Sequence, residues 1–101
     1  MNYLAKYSIT EDEIENIKRV LEVAEVNTDI FMYNEEKIMK ILDLFYDLGV
    51  NNIYDIIITS PYMFYDTVDS IKRKIDYYPD KLELARLLNE DPTNLDLINL
   101  G

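Results

Sequence analysis

Apolar residues recur along this chain at intervals of three and four. Ile14, Ile17, Leu21 and Ala24 form one series, with Val20 and Val23 widening it; Ile38, Ile41, Leu42, Phe45 and Leu48 form a second. Such spacing lines one face of an α-helix. Thr10 and Glu13 make a capping box for the first helix, and Glu11 and Asp12 suit its positive end. Asn34 is the expected cap of the second helix. Gly49 is its expected left-handed stop, with Val50 folding back onto it. Residues 1–9 read as an extended arm or a first helical turn packed on the domain. Between the two helices Asn27, Thr28 and Asp29 favour a turn, and Ile30, Phe31 and Met32 after them need burial.

A third, short helix follows from Asn51 or Asn52, with Ile53, Ile56 and Ile57 on its inner face. It stops before Pro61, because Ser60 is pushed out of the helical region. The β-branched run IYDIIIT also suits a strand. Its helical flanks, and the lack of a second strand to pair with, decide for a helix. Met63 and Phe64 are buried candidates. A fourth helix, capped by Asp66 or Thr67, presents Val68, Ile71, Ile75 and Tyr78 and ends at Pro79. Asp80 and Glu83 open a further helix through Leu84, Leu87 and Leu88, Pro92 breaks it, and Leu95, Ile98 and Leu100 close the chain. The fold class is therefore all-α: a short helical-repeat-like array of five or six helices, in a single domain over residues 1–101.

The pattern repeats. Ile53, Ile56, Ile57, Phe64, Ile71 and Ile75 follow Val20, Val23, Ala24, Phe31, Ile38 and Leu42 at an offset of 33, and Leu84, Leu87, Leu88, Pro92 and Leu95 follow Ile53, Ile56, Ile57, Pro61 and Phe64 at an offset of 31. A period in this range marks helical repeats, each of which leaves an apolar face for its neighbour to cover. The stretch LFYDLGVNNIYDIIITSPYMFYDTVDSIKRKI, residues 44–75, resembles the repeat of the mitochondrial transcription termination factor family. That repeat joins a helix ending in Leu-Gly to a short helix, a Pro, an apolar pair and another helix; Leu48-Gly49 and Pro61 carry the likeness. The resemblance implies a curved α-solenoid. It would also imply nucleic-acid binding through a basic concave face, and there the charge departs from the family.

Twenty acidic side chains stand against ten basic ones, for a net charge of −10. Residues 1–60 hold twelve of the acids and five of the bases. Such a surface repels nucleic acid and anionic membrane and attracts basic protein surfaces, or it serves solubility alone. No apolar run approaches the roughly 20 residues of a membrane span. With no secretory leader in the opening residues, a cytoplasmic setting is expected. The chain has no histidine and no cysteine, and its two glycines make no phosphate loop. No enzymatic activity, cofactor or metal is expected. The tail NEDPTNLD resembles a calcium loop only faintly, lacking the central Gly and closing Glu.

Nine tyrosines remain to be placed, in the core or at an interface. The expected partner-binding set is Asp43, Asp47 and Asp55, projecting from one edge, with Tyr54, Tyr62 and Tyr65 and with Glu22 and Glu25 on the polar face of the first helix. Asp47 is notable because an anion in the last helical turn opposes the helix dipole by a few tenths of a kcal/mol. The sequence thus points to a non-catalytic inhibitor or regulator that docks on a basic surface of a partner protein, in the manner of the nucleic-acid mimics of phages and mobile elements. The other readings are a nucleic-acid-binding module resting on Lys72, Arg73 and Lys74, and an accessory subunit or homodimer.

Overall fold

The computed structural model describes residues 1–101. It is all-helical. Six α-helices are joined with three 3₁₀ segments: α1 (Glu11–Val23), α2 (Asp29–Tyr33), α3 (Glu35–Tyr46), α4 (Ile53–Thr59), α5 (Val68–Tyr77) and α6 (Lys81–Glu90), with 3₁₀ turns at Asn2–Tyr7, Pro61–Tyr65 and Pro92–Ile98. The run IYDIIIT is helix α4, not a strand. No helix is long and apolar enough to cross a membrane.

Local chemistry sets the helix starts. The capping box at Thr10 and Glu13 is formed in both directions. Thr67 caps α5 through Ser70 N at 3.1 Å, and Asp80 caps α6 through Glu83 N at 3.1 Å. Asn34 and Asn52, by contrast, make no side-chain cap. Asn52 instead donates from Nδ2 to the Leu88 carbonyl at 3.1 Å, because α6 lies against the start of α4 and offers an acceptor there. Asn89 ties the same corner, accepting from Asn51 N at 2.8 Å and donating to the Gly49 carbonyl at 3.0 Å.

One closing device recurs three times. Val50 N bonds back to the Phe45 carbonyl, Val26 N to Leu21, and Leu100 N to Leu95. Each of these bonds spans a residue with positive φ: Gly49 at 103°, Glu25 at 58° and Asn99 at 59°. In this Schellman arrangement the residue after the left-handed one folds onto the helix it ends. Val26, Val50 and Leu100 are all buried. Only the Gly49 stop is signalled by a glycine.

A single apolar core runs from Leu4 to Leu100. The opening segment is the packed helical turn of the two readings, since Leu4, Tyr7 and Ile9 are buried. Of the elements expected to correspond, α1 packs on α4 and α3 on α5, and Phe31 meets Phe64 edge-on with ring centroids 4.8 Å apart. Polar bonds tie the α1 and α4 segments at an offset of 38 rather than 33. Tyr54 OH accepts from Asn16 Nδ2, Tyr62 OH donates to the Ala24 carbonyl at 2.6 Å, and Tyr65 OH accepts from Asn27 N at 3.1 Å. All three pairs are 38 positions apart, so the α1 segment and the α4–Pro61 segment run parallel. Ser60, buried after α4, donates its hydroxyl to the Leu100 carbonyl and holds the C-terminal end.

Two burial expectations need correcting. Val23 is 86% exposed and Met32 is 50% exposed. α1 buries Ile17 and Leu21 and packs on α4, and the widened stripe reaches solvent at Val23. α2 is a single short turn, and it buries Phe31 alone.

Candidate interaction surface

The eight residues expected at an interface fall into three structural situations. Asp43 is tied into the fold. Its Oδ1 accepts from Lys6 Nζ at 2.9 Å and from Tyr7 OH at 2.8 Å, and Tyr7 OH also lies 3.2 Å from the Met39 carbonyl. Burial alone would raise the Asp43 pKa, but these two donors outweigh it and hold the carboxyl below its usual value. For Tyr7, burial first and then the Asp43 hydrogen bond push the phenol well above its ordinary pKa. Asp43 therefore anchors the N-terminal segment to α3 and is not a free edge carboxylate.

Tyr54, Tyr62 and Tyr65 have a double character. Each spends its hydroxyl holding the α1 segment to the α4 segment, as described above. Yet Tyr62 and Tyr65 leave 61% and 54% of their surface in solvent. A hydroxyl bond at the tip of the side chain fixes the ring in place without covering its face. Such a ring costs little entropy when a partner covers it.

Glu22, Glu25 and Asp47 form the third group. All three are exposed and make no ion pair. Asp55, in the first turn of α4, is half-buried and also unpaired. Asp47 ends α3 and raises the pKa of Tyr7 alongside Asp43, so Asp43 and Asp47 share one neighbourhood. Glu22 and Glu25 belong instead to the end of α1. There they line a shallow depression with Lys18, Asn27, Thr28 and Met32.

Next to them lies an apolar groove that the sequence did not reveal. Asn16, Arg19, Val20, Val23 and Ala24 from the α1 segment form one wall, and Ile58 and Pro61 from the α4 segment form the other, with a volume of about 460 Å³. It lies along the seam where α1 packs on α4. The only sequence signal was the width of the α1 apolar stripe, which exceeded what one neighbour can cover.

The basic cluster expected for nucleic acid is largely neutralised. Lys72 pairs with Asp76 at 2.7 Å and Lys74 with Asp66 at 3.3 Å. Asp66 also accepts from Thr67 N and Ser70 Oγ, and these bonds with Lys74 overcome its burial and lower its pKa. In the tail, the Asp91 carboxylate is occupied by Thr93 N and Oγ1 at 2.9 and 2.7 Å.

No known family model matches the chain, and neither a curated protein nor a solved structure shows significant similarity to it.

Proposed function

We propose that this protein is a non-catalytic, cytoplasmic binding domain that sets its acidic α1 end on a basic surface of a partner protein, as an inhibitor or regulator would. One observation carries the reading. Every basic side chain of residues 1–60 is bonded within the chain: Lys6 to Asp43, Lys18 to Glu15, Arg19 to Asn16, Lys37 to the Phe64 carbonyl and Lys40 to Glu36. Glu22 and Glu25 make no ion pair and stand on either side of Val23 in the sequence, and Val23 lines the apolar groove. A desolvated apolar centre with charged residues around it is the usual anatomy of a protein interface. Opposed charge steers the encounter and makes it sensitive to salt.

Nucleic acid is a poor occupant, since a polyanion needs several free cations and the cluster at Lys72–Lys74 offers one. The experiment is affinity capture from the source cells, followed by calorimetry with the purified partner at two salt concentrations. Replacing Glu22 and Glu25 by Gln together should weaken binding at least about tenfold, equivalent to 1.4 kcal/mol. Fluorescence anisotropy with duplex and single-stranded DNA and RNA should show no binding near physiological salt; micromolar binding there would remove the proposal.

A further inference from the structure

A second groove lies away from α1, where the C-terminal half of α5 meets the chain end. Ser70, Arg73, Lys74 and Tyr77 of α5, the Tyr78-Pro79 turn and Leu97–Asn99 enclose about 760 Å³. Open grooves of roughly 300–1,000 Å³ with apolar walls and a few polar groups are the size of ligand sites. Tyr77 is 90% exposed, and Leu97 is also largely in solvent. These are large apolar surfaces with nothing of this chain upon them.

The charge of the groove is specific. Lys74 is held by Asp66 at 3.3 Å and lies 3.4 Å from the Asn99 carbonyl, and Lys72 on the next face is held by Asp76. Arg73 makes no ion pair and no hydrogen bond, although Asp69 stands one turn before it on the same helix at a spacing that suits pairing. The groove therefore presents one free guanidinium among apolar walls. A guanidinium offers a planar fork that matches a carboxylate bidentately. One free cation fits one carboxylate, and the walls require that carboxylate to sit beside an apolar group.

We propose that this groove binds a peptide segment of a partner protein in which an aspartate or glutamate is followed by aliphatic or aromatic residues. The carboxylate pairs with Arg73, and the apolar side chains lie along Tyr77, Pro79 and Leu97. A second copy of this chain is disfavoured as the occupant, because each copy carries −10 and the two repel at long range. This site is separate in position from the α1 end and has no carboxylate in its lining, so it stands whether or not that surface docks on a basic partner.

The test uses the full chain, isotopically labelled, and an acetylated, amidated pentapeptide Gly-Glu-Leu-Phe-Gly, followed by nitrogen–proton correlation spectra. Titration to millimolar peptide should shift Ser70, Tyr77, Leu97 and Asn99 amides and the Arg73 Nε–H together. Exchanging the peptide Glu for Gln, or Arg73→Gln in the protein, should weaken binding about tenfold, the loss of a charge-assisted contact worth 1.4 kcal/mol. Thermal melts should show Arg73→Gln folded as the parent. Pro79→Ala with Leu97→Ser should weaken binding independently of charge. Shifts indifferent to both charge exchanges, shifts confined to the α1 end, or no shifts at all would overturn the proposal. So would concentration-dependent shifts of the groove without peptide, which would assign it to another copy of the chain.

Discussion

Two carboxylate neighbourhoods in this protein have the same residue chemistry and opposite fates. At the N-terminal segment, Asp43 takes Lys6 and Tyr7 and joins 3₁₀ turn to α3. At the end of α1, Glu22 and Glu25 take nothing, and Glu25 even occupies the left-handed position that glycine fills at the end of α3. The difference is one of surroundings. Asp43 lies where the opening segment crosses α3 and brings a lysine and a buried phenol with it. Glu22 and Glu25 lie at the end of α1, where Tyr62 and Tyr65 bond to the backbone at Ala24 and Asn27 but no donor reaches either carboxylate. Net charge alone cannot separate these fates; a carboxylate is structural when the fold brings it donors and available when it does not.

The largest effect is expected at the structural end. Asp43→Ala should destabilise by about 1–2 kcal/mol, because Tyr7 OH keeps only the Met39 carbonyl and Lys6 loses its partner. Denaturant titration checks the value, and hydrogen exchange at Leu4 and Tyr7 should rise first. The same contact sets a pH window. The folded Asp43 carboxyl is depressed, so its contribution is present above its ordinary value of 3.8 and is lost as pH falls through the lower folded value. The Tyr7 phenol is raised, so its contribution is complete below 10.0 and is lost as pH rises beyond that toward the folded value. Melting temperature should therefore fall on both limbs in the parent and less steeply in Asp43→Ala. Equal slopes in the two proteins would mean that the segment is held by Leu4 and Ile9 alone.

At the α1 end the sign reverses. Glu25→Gly should stabilise by roughly 0.5–1 kcal/mol, since a non-glycine residue at φ 58° is strained and the substitution relieves it, less some chain entropy. The same change should weaken partner binding. A protein made more stable and less able to bind would separate the two neighbourhoods most sharply. A loss of stability would mean that the Glu25 side chain contributes to the fold. Tyr62→Phe should cost a smaller amount, about 0.5–1 kcal/mol, for its bond to the Ala24 carbonyl, while keeping the exposed ring. If the ring is what a partner covers, affinity should change less than stability does.

How much of this was readable beforehand follows the range of each interaction. Thr10, Thr67 and Asp80 cap their helices as their sequence neighbours predict, because a cap is decided within three residues. The helical identity of residues 53–59 was readable from period and flanks. Glu25 and Asn99 as left-handed stops were hidden, since neither is glycine; the buried Val26 and Leu100 just after them were the available signal. The role of Asp43 and the register of the three tyrosine bonds depend on partners 36 to 38 positions away, and no local pattern reports those. Val23 misled for a related reason. Helical period says which residues share a face, while only the arrangement of α1 and α4 says how much of that face is covered.

Docking through the open α1 end is tested by comparing the parent chain with a Glu22→Gln, Glu25→Gln, Val23→Ser variant. Both are immobilised and exposed to extract of the source cells, and retained proteins are quantified by mass spectrometry and then measured by calorimetry. The parent should retain a basic protein that is released as salt rises, and the variant should bind it at least about tenfold more weakly. Asp43→Ala should bind that protein within about twofold of the parent, well inside the 1.4 kcal/mol of a tenfold change. Equal retention by parent and variant, or affinity indifferent to salt, would contradict it.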